Sequence, residues 1–220
     1  MKKHVILFII ILIASISVKA DQDFKKLGIL VYPFEQSGSK NFSWIAAGLT
    51  DTVISDLNKI QDIYVFSEDD RKKAIQEIQL GMTGLIKESD IIRAGSIMGA
   101  DLIFTGKVQA TGNKIRVNAR LINISTTKIE NSVKLDGTVD ELFDLQDRVV
   151  FALMTETEKV SLADTKPVKI KDDEKKKVKG KVRPKQDVYQ LYSKGLEIHE
   201  TNPRKALEFY LEALESDPQF

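Results

Sequence analysis

The sequence predicts an α/β fold: a mixed five-stranded sheet with helices packed on it, followed by a C-terminal helical hairpin. Three observations predict it. Leu27-Gly-Ile-Leu-Val-Tyr-Pro-Phe34 is a short apolar run closed by Pro33, the pattern of a buried strand. Ile115, Val117, Ala119 and Leu121 alternate with Arg116, Asn118 and Arg120, so one strand face is buried and the other polar. Ile45, Leu49, Val53 and Leu57, and later Leu142, Leu145, Val149 and Leu153, recur at helical spacing.

The elements follow in order. After the first strand, a Ser/Gly/Asn loop leads into a helix over Phe42 to Ile60, and Ile63 to Phe66 is a second strand, parallel to the first. Ser67 caps a helix whose first turn holds Glu68, Asp69 and Asp70, at the positive end of the dipole. Gly81-Met-Thr-Gly84 breaks that helix, and Glu88 to Met98 forms the next one. Ala100 to Ala110, a Gly112-Asn113 turn, the alternating strand and Ile129 to Val139 make an antiparallel meander. Asp140 starts the last helix of this unit. The order is β-α-β-α-α-β-β-β-α.

Composition excludes several kinds of chemistry. The chain has 220 residues and no cysteine, so disulfides, thiolate metal sites, a cysteine nucleophile and a lipid-modified cysteine are all absent. Its two histidines are His4 and His199. Thirty-three Lys and Arg nearly cancel 32 Asp and Glu, so no overall charge directs the chain to nucleic acid. Lys2 and Lys3, the apolar run Val5 to Ile13 and Val18-Lys19-Ala20 read as a secretory signal peptide over residues 1–20. Extended to Val18, the apolar run is 14 residues, about 21 Å as a helix. A bilayer core is roughly 30 Å thick, so cleavage is the favoured reading over a retained anchor. Cleavage removes Lys2, Lys3 and Lys19, taking the formal charge from +1 to −2. The expected address is export to the periplasm or the outer membrane of a bacterium.

Beyond the α/β domain of residues 21–161, the composition changes. From Lys166 to Lys185 there are ten Lys or Arg against three acids, with neither helical nor strand period. Residues 162–186 are expected to be a flexible basic linker. It is a solvated spacer in the plainer reading and a contact to acidic lipid, nucleic acid or an acidic partner in the other. Residues 187–220 form the helical hairpin.

The α/β stretches resemble the TolB amino-terminal-like domain family, with its curli-secretion (CsgG)-like and FlgO-like flagellar relatives. The resemblance is carried by Ile29-Leu-Val-Tyr-Pro-Phe34, by Ala46-Ala-Gly-Leu-Thr-Asp51, and by residues 91–106 (IIRAGSIMGADLIFTG). It continues in the hairpin Gly112 to Ile122 and in residues 140–147 (DELFDLQD). It covers about residues 27–155 and implies an exported envelope domain with no catalytic constellation. Without a lipobox cysteine or paired lipid-facing hairpins, a secretion pore is disfavoured. Within that run Gly99 is expected to end a helix and Asp101 to begin a strand.

The C-terminal hairpin resembles one tetratricopeptide repeat. Ala206, Tyr210, Ala213 and Pro218 match its second helix, and Tyr192, Gly195 and Leu196 its first, although the interval from Gly195 to Ala206 is one residue short. One repeat cannot bury its own faces. It must therefore dock on the α/β domain, a second copy, a partner or further repeats, for which Asp217-Pro-Gln-Phe220 would be the junction. Tyr189, Tyr192, Leu196, Phe209 and Tyr210 are the candidate docking residues.

Searches for chemistry end mostly in negatives. Gly99 to Lys107 has its glycines seven apart and Val108 where a phosphate loop needs Ser or Thr, so it is no nucleotide site. His199 reads as an exposed helix-end residue, and Asp69-Asp70 as a helix N-terminus. No pair of carboxylates is selected for hydrolysis. No cofactor or metal is expected, and no enzymatic activity. Lys107, Lys114, Arg116 and Arg120 mark a polar sheet face that would bind an anionic ligand if left uncovered. The plainer reading is a solvated face. Trp44, Phe42 and Tyr32 suit either an aromatic contact site or core packing. The leading expectation is a non-enzymatic module that assembles with protein partners in the envelope. Self-association through the hairpin and peripheral membrane contact stay open. An anion-sensing module is the alternative.

Overall fold

A computed structural model describes residues 25–79, 87–162, 165, 167–180 and 183–220. The expected signal peptide and the Gly81 to Gly84 break lie outside the described residues. Strand β1 (Leu27–Val31) is buried along its whole length. It pairs in parallel with β3 (Ile63–Val65) on one side and with β4 (Leu102–Thr111) on the other. β4, β5 (Lys114–Asn123) and β6 (Lys128–Thr138) form the antiparallel meander. The sheet order is β3-β1-β4-β5-β6.

Among the described residues the sheet has six strands where five were expected. The extra strand is β2 (Glu35–Gly38), parallel to β4 with Glu35 opposite Lys107. Its cause lies in unequal strand lengths. β1 covers β4 only from Leu102 to Phe104, so the outer part of β4 still needs backbone partners. The chain turns at Pro33, which has no N–H to donate, and resumes beside the same strand.

Helix α1 (Trp44–Leu57) and helix α4 (Leu142–Glu158) cover one face of the sheet. Ile29, Val31, Phe104, Val117 and Leu121 meet Ile45, Leu49, Val53, Val149 and Leu153 there. Trp44 and Phe42 belong to this core, which bears out their packing role. On the opposite face Leu30, Ile103 and Ile122 meet Ile91 from α3 (Glu88–Met98), with Tyr32 packed against them. Helix α2 (Glu68–Gln79) lies against α3 through Ala74 and Ala94. Ser67 caps α2 as expected: its hydroxyl accepts from the Asp70 amide at 3.1 Å. Gly99 ends α3 at φ 71°, a left-handed conformation that glycine adopts without strain. Two residues on, the Asp101 carboxylate accepts from the Gly28 amide at 2.8 Å and the Lys25 ammonium at 2.7 Å, fixing the start of β4 against β1.

The expected flexible linker is folded over part of its length. Residues Asp172–Lys179 form α5, and Val168, Ile170 and Val178 are buried in the main core. The three acids stand in its first turn and the lysines in its last, both favourable to the helix dipole. Buried Glu174 accepts from the Gln61 and Lys171 amides at 2.7 and 2.8 Å, joining this strap to the loop after α1. The lysine excess is a solvated outer face over three apolar anchors. Helices α6 (Gln186–Ile198) and α7 (Pro203–Ser216) complete the chain as the expected hairpin.

Candidate functional site

Helix α6 docks on α1, and Gly48 is the reason it can. A Cβ at Gly48 would stand 2.5 Å from the Ser193 hydroxyl and 2.6 Å from that of Tyr189. A helix-interior glycine costs about 1 kcal/mol relative to alanine, which the close approach of α6 offsets. The two helices of the hairpin meet in the same way: a Cβ at Gly195 would lie 2.2 Å from the Tyr210 ring. Ala206 and Ala213 are buried on the inner face of α7, as a close crossing requires.

The tyrosines expected to seize a partner instead hold the hairpin to its own chain. Tyr189 is buried, and its hydroxyl accepts from Gln146 Nε2 of α4 at 2.7 Å and lies 3.1 Å from Thr52 Oγ1 of α1. Burial pushes its ionisation up to about 12. The Tyr192 hydroxyl donates to Asp51 at 3.3 Å, and burial raises its ionisation as well. Leu196 lines a cleft between α1 and α2, and Phe209 lies beneath Lys194 and Lys205. Tyr210 stacks at a tilt on Tyr192, with ring centres 5.9 Å apart.

Between α1, α4 and the hairpin there remains a cavity of about 480 Å³, within the size range of small-ligand sites. Phe143, Tyr189, Tyr192, Tyr210 and Phe220 line it with aromatic rings. Asp51, Thr52, Ser55 and Asp56 enter from α1, Gln146 from α4 and Arg183 from the strap's far end. Arg183 is paired with Asp147 and lies over the Phe143 ring, and Asp56 is paired with Lys59 at 2.7 Å. Asp51 differs. Among the described residues no Lys or Arg pairs with it, and desolvation, with Glu68 and Asp56 nearby, raises its carboxyl above the ordinary 3.8.

A second surface went unread in the sequence. Leu207, Leu211 and Leu214 are 56, 51 and 44% exposed along one flank of α7, beside the buried Ala206 and Ala213, with Leu214 also reaching the rim of the cavity. Their spacing of four and three is one helical stripe, a signal available from sequence alone. Glu208, Glu212 and Glu215 run along one side of it.

The cationic sheet face is largely answered within the chain. Arg116 holds Asp136 through two hydrogen bonds of 2.6 and 3.1 Å, Arg120 reaches Glu88 at 2.8 Å, and Lys107 reaches Glu35 at 2.9 Å. Lys114 sits exposed at the turn end of β5. Glu68, His199 and Glu200 bring three ligand-type atoms within 4.8 Å of one another. The Lys72 ammonium lies 3.2 and 2.9 Å from the two carboxylates, so this is an ion-pair cluster binding α2 to the end of α6. Among the described residues no helix is long and apolar enough to cross a membrane.

No protein-family model matches the chain. A putative adenylate cyclase 3 of Rhizobium meliloti is 25% identical over 198 residues, 88% of this chain. The chain spans 30% of that relative's length. Among solved structures, lipoprotein GNA1162 of Neisseria meningitidis aligns over 58% of this chain and 96% of its own, at 20% identity and TM-score 0.43. The LpoB C-terminal domain of Salmonella enterica aligns over 55 and 88%, at 22% identity and TM-score 0.42. TolB of Acinetobacter baumannii aligns over 60 and 28%, at 17% identity and TM-score 0.41.

Proposed function

We propose that this chain is a non-enzymatic, exported module that binds another protein in the bacterial envelope, with a TolB-like α/β unit presenting a tetratricopeptide-like hairpin. The open leucine stripe of α7 carries the reading. Helix α6 is taken up by α1, so among the described residues the stripe on α7 is the apolar row left exposed for a partner. Three large apolar side chains about half exposed in one row mark an interaction surface rather than scattered surface leucines. The glutamate row beside them suits a helix whose own apolar stripe is flanked by Lys or Arg. A second copy of this chain would bring like charge to like charge at that edge.

The sequence motifs of the TolB-like reading fit their places in the fold. Residues 91–106 supply α3, the Gly99 turn and the start of β4. Cyclase activity belongs to the name of a relative more than three times longer than the matched part, and none of it is assigned to this chain. The anion-sensing alternative, through the Arg116/Arg120 face or the lysine-rich strap, is the less favoured reading, since three of the four sheet-face cations already have partners within the chain.

The test is a photo-crosslinking side chain placed at Leu211 in the intact chain in cells, with the same group at Ser132 as control. The expected product joins Leu211, and not Ser132, to a basic amphipathic helix of an envelope protein. Leu207→Glu with Leu211→Glu should abolish it, and Glu212→Lys should weaken it. Equal crosslinking from Ser132, or none lost in the double variant, would refute the reading.

A further inference from the structure

The cavity between α1, α4 and the hairpin has a chemistry that the docked helix does not use. Its walls are aromatic, and its polar groups are mostly satisfied. Tyr189 is engaged by Gln146 and Thr52, Arg183 by Asp147 and Phe143, and Asp56 by Lys59. One charge is left over. Asp51 stands at the wall with a single long hydrogen bond from Tyr192, half-buried and without a cationic partner among the described residues.

We propose that this cavity binds a small organic ammonium ion, the cation against Asp51 and the Tyr192 and Tyr210 rings and the apolar body against Phe143 and Phe220. Two independent features meet in that ligand. A carboxylate in a partly dry site favours a positive charge, since the unpaired anion is costly there and a cation offsets the cost. Ring faces carry negative potential and attract cations, most strongly where water is excluded. Anionic ligands are disfavoured by the same Asp51 and by Glu68 and Asp56 behind it. A neutral apolar ligand would fill the space and leave the carboxylate unanswered. The cavity meets the helix-docking stripe only at Leu214, and the groups that would hold the ammonium, Asp51 and the aromatic rings, take no part in that stripe, so the two readings fail separately.

The experiment is calorimetric titration of the full chain with choline and, separately, with 3,3-dimethylbutan-1-ol, its uncharged isostere. Choline should bind about tenfold or more tightly than the alcohol, the ratio expected from a desolvated cation–π contact. Asp51→Asn should lose about tenfold in choline affinity and leave affinity for the alcohol unchanged. That variant's thermal midpoint, measured in parallel, separates lost binding from lost folding. Equal binding of the two compounds, undiminished choline binding in Asp51→Asn, or binding of neither at millimolar concentration would each overturn the proposal.

Discussion

Asp51 carries a consequence for stability that needs no ligand. Its carboxyl holds its proton more tightly in the folded chain than the ordinary value of 3.8, because burial disfavours the anion. Below that value both folded and unfolded chains are protonated and nothing is lost. As pH rises through the folded-state value, the folded chain releases its proton against resistance, and stability falls. Asp51→Asn removes this loss while keeping an acceptor for Tyr192. The variant and the unmodified chain should therefore melt together at about pH 3 and diverge toward neutrality, the variant being the more stable. Thermal midpoints across that range check the sign. A difference constant with pH would show that Asp51 is not destabilised by its setting.

At the level of elements, α5 is the plainest case of a helix whose cause was hidden by composition. Seven excess positive charges in twenty residues suggested a solvated tether. Three apolar residues decided otherwise, and they are too few to register as a period. Their spacing of two and then eight follows no single period, because Val168 and Ile170 lie in irregular chain and Val178 on the helix. Val178 is fully buried. Val178→Ala should cost about 1–3 kcal/mol in denaturant titration and raise amide exchange over residues 168–179. Unchanged exchange would mean that the strap is held by its ion pairs and by Glu174 alone. β2 was illegible for a different reason. Glu35-Gln-Ser-Gly38 has no strand propensity, and it pairs because β4 outruns β1. Strongly periodic elements were legible throughout, as in β5 and α4, where one face is buried and the other wet; the stripe of α1 was equally plain, although α6 covers its other side and leaves only Ser55 exposed.

For the whole molecule, the decisive contact is between the hairpin and α1. The sequence required the hairpin to dock, and Tyr189 and Tyr192, expected to meet a protein partner, meet the chain's own helices. It did not say on what, because Asp51, Gln146 and Phe143 lie 43 to 141 residues away in the chain, and local pattern carries no information about such meetings. Gly48→Val tests the contact. The new side chain would drive into Ser193 and Tyr189, and overpacking of this kind costs about 1–3 kcal/mol. Limited proteolysis should then cut within residues 180–202 well below the melting temperature of the α/β unit. Protection equal to that of the unmodified chain would mean that α1 and α6 separate slightly without releasing the hairpin. His199, Glu68, Glu200 and Lys72 form the second tie across this boundary.

The strap also sets how often a released hairpin finds its way home. With α5 anchored, six residues (180–185) join it to α6, a reach of about 20 Å when fully extended. That short leash keeps the hairpin at high effective concentration over its own seat on α1. Were α5 to lift off, the leash would run from Lys159 to Lys185, and closing a loop of that length costs about 1.3 kcal/mol more. A ligand or partner that competes with α1 for the hairpin therefore works against a local concentration that the lysine-rich strap controls.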